Sequence, residues 1–195
     1  SSDSPGMWVR GTFTLNDGWV YASGSYAGFD AGFNVYGLRA GRVLANGGRM
    51  ELFGGSGIDA FGLQTDEITV AGAGVSGYGG GDSASGIQAR VTVSSGVLRG
   101  QGGYGIAAHG VDASELVQNG GQIIARGGYG GDGSHGIRAR TFSMSAGSLE
   151  ATGGQDGSIG FWTEHGSQTG GDILSVGQFS STDYGFYANG HSMTG

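Results

Sequence analysis

Apolar and polar positions alternate along this chain in short runs, and the runs recur in phase. Period-two alternation puts every second side chain on one face of a strand, whereas no window keeps the 3.6-residue period of a helix. A four-residue signature marks the phase: Gly37-Leu38-Arg39-Ala40, Gly62-Leu63-Gln64-Thr65, Gly86-Ile87-Gln88-Ala89, Gly105-Ile106-Ala107-Ala108, Gly136-Ile137-Arg138-Ala139, Gly160-Phe161-Trp162-Thr163 and Gly185-Phe186-Tyr187-Ala188. Its second position is Leu, Ile or Phe and its fourth is Ala or Thr, so these two point inward. The variable third position points out. Subtracting successive Gly numbers gives 25, 24, 19, 31, 24 and 25, a period near 25 residues with one short and one long repeat whose difference is expected in loops.

Two further strand-like segments follow each signature. The second carries alternating apolar residues and then Gly: Ile68 and Val70 before Gly72, Val91 and Val93 before Gly96, Phe142 and Met144 before Gly147. The third points Met50 and Leu52, Leu98, Ile123 and Ala125, Leu149 and Ala151, or Ile173 the same way, and usually ends in Gly-Gly or Gly-x-Gly. The N-terminal stretch follows the same rule through Phe13, Leu15, Gly18, Val20 and Ala22. Three strands per repeat describe one coil of an all-β, three-faced parallel β-helix, expected to be right-handed like other parallel crossovers. Residues 1–195 then make a single solenoid domain of roughly eight coils, about 40 Å long at the usual strand spacing of about 4.8 Å. Leu38, Leu63, Ile87, Ile106, Ile137, Phe161 and Phe186 should form one inner column, each burial contributing roughly 1.5–3 kcal/mol.

Composition sharpens this picture. Glycine supplies 47 of 195 residues, but with one Pro and no Gly-X-Y triplet the chain is not collagen. At 37% hydrophobic and 13% charged it is too apolar to stay unfolded, so its glycines occupy fixed places. Net charge is −7 and all nine basic residues are scattered Arg, which argues against nucleic acid and against anionic lipid headgroups. There is no Cys, hence no disulfide or thiolate metal site, and no run reaches the ~18 apolar residues of a membrane span. The first residues, Ser1-Ser2-Asp3-Ser4-Pro5-Gly6, lack an initiator Met, and the last, His191 to Gly195, lack a capping helix. Open solenoid ends template pairing, so a longer parent chain or end-to-end stacking is expected.

Four patterns in the sequence carry candidate chemistry. Gly127-Gly128-Tyr129-Gly130-Gly131-Asp132-Gly133-Ser134-His135 nearly matches a calcium nonapeptide, making Asp132 the candidate ligand. Ser134 replaces the apolar anchor, and the echo at Gly79-Gly80-Gly81-Asp82 lies a coil or more away, so a Gly-rich corner with no metal is expected. His109, His135, His165 and His191 recur at spacings of 26, 30 and 26, which lets some of them stack, although surface-loop imidazoles are the expectation. Asp66-Glu67 is the one adjacent acidic pair, too little for the paired carboxylates of a glycosidase, so neither an enzyme nor a cofactor is expected. The outward third positions are the better clue: Trp162 and Tyr187, with Arg138 one coil earlier, form a candidate contact face for sugar or protein.

The corner followed by Tyr-Gly-Ile-x-Ala, then Val-x-Val-x-x-Gly-x-Leu-x-Ala-x-Gly-Gly, resembles the passenger-domain repeats of Gram-negative autotransporters, the pertactin-like adhesins. Gly136-Ile137-Arg138-Ala139 through Gly153-Gly154 is the clearest copy, and the likeness runs from about Thr12 to Ala188. It implies type V secretion, an extracellular or outer-membrane surface location, and a stalk or adhesin role in contact with a host or bacterial surface protein, a glycan, or another copy. A self-stacking extracellular fibre and a β-helical carbohydrate-active enzyme are the alternatives.

Overall fold

The computed structural model describes residues 4–25, 34–81, 83–105, 107–129, 133–155, 158–177 and 184–193. Their strands are β1 (Ser4–Leu15), β2 (Trp19–Ser23), β3 (Asn34–Ala45), β4 (Arg49–Phe53), β5 (Asp59–Tyr78), β6 (Ile87–Gln101), β7 (Val111–Arg126), β8 (Ile137–Thr152), β9 (Phe161–Gln168), β10 (Asp172–Val176) and β11 (Phe186–Met193). Every pairing is parallel, and each strand bonds to the strand one repeat away, which makes the chain an all-β parallel solenoid of about 25 residues per turn. The described residues close about six turns rather than the eight expected from length. Residues 26–33 and 178–183, which the length-based count included, lie outside the described residues.

A long strand such as β6 crosses three faces without losing its ladder. Its first face holds Ile87 to Ala89, and a register shift marks the corner before Val91. The second corner turns on a left-handed glycine, Gly96 with φ 84°, and Gly72 and Gly147 do the same in their own coils. A side chain at positive φ is strained, so the Gly predicted after each second segment is the residue that aims the third face inward. The apolar residues assigned to those segments line one core: Ile68, Val70, Val91, Val93, Met50, Leu52, Leu98 and Ile123 are fully buried.

The inner column of the first face corrects the sequence reading at one tier. Ile87 pairs with Val111, and Val111 pairs with Ile137, so the fourth signature is Gly110-Val111-Asp112-Ala113 and not Gly105-Ile106-Ala107-Ala108. The spacings become 24 and 26 in place of 19 and 31 (110 − 86 and 136 − 110), and the irregular repeat disappears. Ile106 itself lies outside the described residues. Ala108 is buried, but in a different column, made of Val35, Ala60, Ala84, Ala108, Ser134 and Ser158.

That second column explains the paired glycines. Five coils leave the third face through Gly-Gly, at Gly54, Gly79, Gly102, Gly127 and Gly153, and return along the small residue with the backbones in contact. A Cβ at Gly102 would overlap the carbonyl oxygen of Ala108, and one at Gly128 would lie 2.7 Å from the Ala108 Cβ. The Gly128 N–H donates to the Ala108 carbonyl at 2.7 Å, and the Gly154 N–H to that of Ser134 at 2.7 Å. Ser134, in the apolar slot of the supposed calcium loop, is fully buried: its Oγ accepts from the Ala108 N–H and donates to the Gly105 carbonyl. Asp132 lies outside the described residues.

Gly102→Ala should therefore lower the urea midpoint sharply, by the equivalent of several kcal/mol, because the obstacle is backbone that cannot move aside. Gly74→Ala, where no atom lies within 4 Å and φ is ordinary, should change it by less than about 1 kcal/mol and in the stabilising direction. Equal midpoints for the two variants would contradict the packed double-glycine column.

Candidate contact face and histidine stack

Position three of the corrected signature forms a continuous outward column. In register it reads Trp8, Arg39, Gln64, Gln88, Asp112, Arg138, Trp162 and Tyr187. The predicted face of Arg138, Trp162 and Tyr187 is thus three consecutive tiers, as the repeat phase required. Asp112 was missed, since the fifth tier had been assigned Ala107. The signal that would have found it is the set of spacings, because Gly110 restores an even period and Gly105 does not.

Hydrogen bonds link neighbours within the column. The Arg138 guanidinium donates twice to Asp112, Nε to Oδ1 at 2.9 Å and Nη2 to Oδ2 at 2.7 Å, a fork that fixes both side chains. The Gln64 amide donates through Nε2 to Gln88 Oε1 at 2.8 Å. Position five runs parallel, with Asp66, Ser114, Arg140 and Glu164 standing across the small, inward fourth residue. Between the two columns lies a groove of about 590 Å³, floored by Thr65, Ala89 and Ala113 and closed at one end by Trp162. At the corner Glu67 bridges Arg42 at 3.3 Å and Arg90 at 3.1 Å. Asp66 and Glu67 thus divide their work: Asp66 edges the groove and Glu67 holds two arginines.

A second outward aromatic run, Tyr21, Phe53 and Tyr78, lies on the third face. Phe53 stacks on Tyr78 at 4.6 Å and 7°, and Tyr21 meets Phe53 tilted at 39° and remains exposed. The first-face column keeps its polar ends turned outward and is the stronger candidate for contact.

The histidines are a correction to the surface-loop expectation. His109 and His135 occupy the column before the signature Gly, where Tyr36 and Phe61 stack in earlier coils. The imidazoles stack at 5.2 Å, and His109 is buried. Each Nδ1 accepts a backbone N–H from the coil above: His135 N–H to His109, and Ile159 N–H to His135, both at 3.2 Å. Both rings are therefore neutral with the proton on Nε2. Burial lowers His109 to about 3 and His135 to about 4; the Arg138 guanidinium pushes the same way, and Asp112 opposes it. His165 is exposed on β9, and the side chain of His191 is outside the described residues. No cluster of three potential metal ligands occurs among the described residues.

Compared with known proteins, the chain matches no family model, no curated protein and no solved structure.

The histidine pair sets an acid limit on stability. Because the folded pKa values are depressed, the unfolded chain binds more protons, and stability present above the unfolded value of about 6.5 declines as pH falls towards 4 and 3. His109→Asn with His135→Asn offers an amide oxygen to each N–H without titrating. Thermal melts between pH 7 and 4 should then show a shallower acid decline than the parent chain, and parallel curves would rule out the histidines as its source.

Proposed function

We propose that this chain is a non-enzymatic, surface-exposed stalk or adhesin segment of the autotransporter-passenger kind, making its contacts through the outward column of the first face. The observation that carries the reading is that column: Arg138, Trp162 and Tyr187 stand on successive tiers beside an open polar groove. A stacked array of aromatic and hydrogen-bonding side chains on a rigid shaft suits recognition, since little order remains to be imposed on binding. The repeat resemblance and the solenoid architecture support secretion to the outer-membrane surface of a Gram-negative cell, and the acidic, Arg-only composition agrees with an exported chain. Against catalysis, two of the three carboxylates that line the groove are paired with arginines, Asp112 with Arg138 through both oxygens and Glu164 with Arg140 at 3.8 Å, which leaves Asp66 alone. A glycosidase needs one carboxyl free to give a proton and another free to activate water.

Display of the chain on a non-adherent bacterium tests this directly. Cells carrying it should gain adhesion to a protein- or glycan-coated surface, or to each other. Trp162→Ala and Arg138→Ala should reduce that gain several-fold while far-UV circular dichroism is unchanged. Undiminished adhesion in both variants, or release of reducing sugar from a polysaccharide that depends on Asp112, would overturn the proposal.

A further inference from the structure

Most of the arginines are spent within the chain. Arg42 and Arg90 pair with Glu67, Arg49 with Glu51, Arg138 with Asp112 and Arg140 with Glu164. Arg10 lies over the Trp8 ring and Arg39 over the Tyr36 ring. Arg99 and Arg126 are the two left without an acidic or aromatic partner among the described residues. In a chain of net charge −7, two cations without a counter-ion are conspicuous.

Both border one cavity of about 290 Å³ on the third face. Arg99 stands opposite Ile124, and Gln101 opposite Arg126. The two arginines are thus one strand spacing and two residues apart, about 8 Å between Cα atoms. An arginine side chain spans more than half of that distance, so both forks reach a single tetrahedral anion between them. With no such anion the two like charges share the cavity uncompensated, an arrangement that an oxyanion relieves.

The other walls are those of a site for something larger than the anion. Phe53 covers one ring face of Tyr78 at 4.6 Å from the preceding coil. The opposite face looks towards Gln101, the register partner of Tyr78 in the following coil, and both residues border the cavity. Glu150 stands across Ile124 at the far side. The cavity also opens at both flanks. Tyr78 and Arg99 border a second space of about 500 Å³ that reaches Ser76, and Gln101 and Arg126 border a third of about 310 Å³ that reaches Tyr129 and Gln155.

These groups suit a saccharide. A tyrosine ring offers an apolar face to the C–H side of a sugar. The Gln101 amide donates and accepts, and a carboxylate such as Glu150 accepts only, so hydroxyl groups satisfy both. A bare phosphate would leave Tyr78 unused and would be repelled by Glu150. A neutral sugar would leave both guanidiniums unused.

We propose that the third-face cavity between Arg99 and Arg126 binds a sugar carrying a phosphate or sulfate ester. The two guanidiniums hold the ester oxygens, while Tyr78, Gln101 and Glu150 hold the ring. This site lies on a different face from the contact column and stands or falls independently of it.

Isothermal titration at low ionic strength tests the site, with phosphate and sulfate esters of glucose, galactose and N-acetylglucosamine, the parent sugars, and inorganic phosphate and sulfate as probes. At least one ester should bind saturably, about tenfold or more tighter than the matching inorganic ion, and the parent sugars should give no heat. The class of ester that binds tighter identifies the source of the anion. R99Q and R126Q should each weaken that ester about tenfold, because each removes a charge-assisted fork. R42Q removes the same charge at a remote corner and should leave the affinity within about twofold. Y78L should weaken the ester while leaving inorganic phosphate or sulfate unchanged, and thermal melts confirm that each variant is folded. No saturable binding of any ester, inorganic ions binding as tightly as the esters, or equal losses in R42Q and R99Q would overturn the proposal.

Discussion

The backbone hydrogen bonds of this molecule run between coils and not within them, and that constraint organises the rest. Each residue is held at one strand spacing from the residue 23 to 27 positions away, so side chains are sorted into columns whatever their chemistry. An inward column must be filled tier by tier, as Leu38, Leu63, Ile87, Val111, Ile137 and Phe161 fill the first face, all fully buried. A corner column must turn the chain in the same sense each time, hence the left-handed Gly72, Gly96 and Gly147. Where two stretches of backbone from successive coils touch, only glycine and a small partner fit. The high glycine content thus follows from the packing of the coils.

Columns also decide what a polar residue experiences. Gln118 takes the tier between Val93 and Met144 in a column that is apolar through Ala45, Val70 and Val93, and its buried amide donates to the Ser148 carbonyl at 2.9 Å. Its Oε1 finds no partner among the described residues, a local cost of the kind that a well-filled solenoid can absorb. His109 and His135 enter a column that begins with Tyr36 and Phe61, and the same stacking that accommodates aromatic rings removes the imidazoles from water. Their depressed pKa values are a consequence of tier geometry combined with the nearby Arg138.

Much of the fold was legible because its signal is repeated. The alternation in Val91 and Val93, the Gly that follows them, and the inward Leu98 each recur in neighbouring coils, so an error at one tier leaves the assignment intact. The fifth tier shows the limit. Gly105-Ile106 and Gly110-Val111 are equivalent as local patterns, and only even spacing between Gly86 and Gly136 chooses the second. That choice mattered for function, because it put Ala107 where Asp112 stands and hid the carboxylate that holds Arg138. The buried histidines were misread for a related reason: a His beside Gly-rich sequence looks like a loop residue until the column it enters is known. The Ala60, Ala84, Ala108, Ser134 and Ser158 column was not seen, since it lies in segments with no alternation to betray it.

A rigid shaft changes how weak contacts add. One exposed ion pair such as Arg138 with Asp112 contributes little by itself, on the order of 1 kcal/mol. Bringing two bodies together costs several kcal/mol at least, so isolated contacts of this size achieve no association. On a solenoid the spacing of such groups is already fixed by the backbone ladder, and no further ordering is needed to present eight of them at once. Specificity then comes from the order of signs along the column, because sliding by one tier changes every partner together. A sequence read as a one-dimensional array of charges, amides and rings can therefore select direction and register, although no single tier contains a pocket.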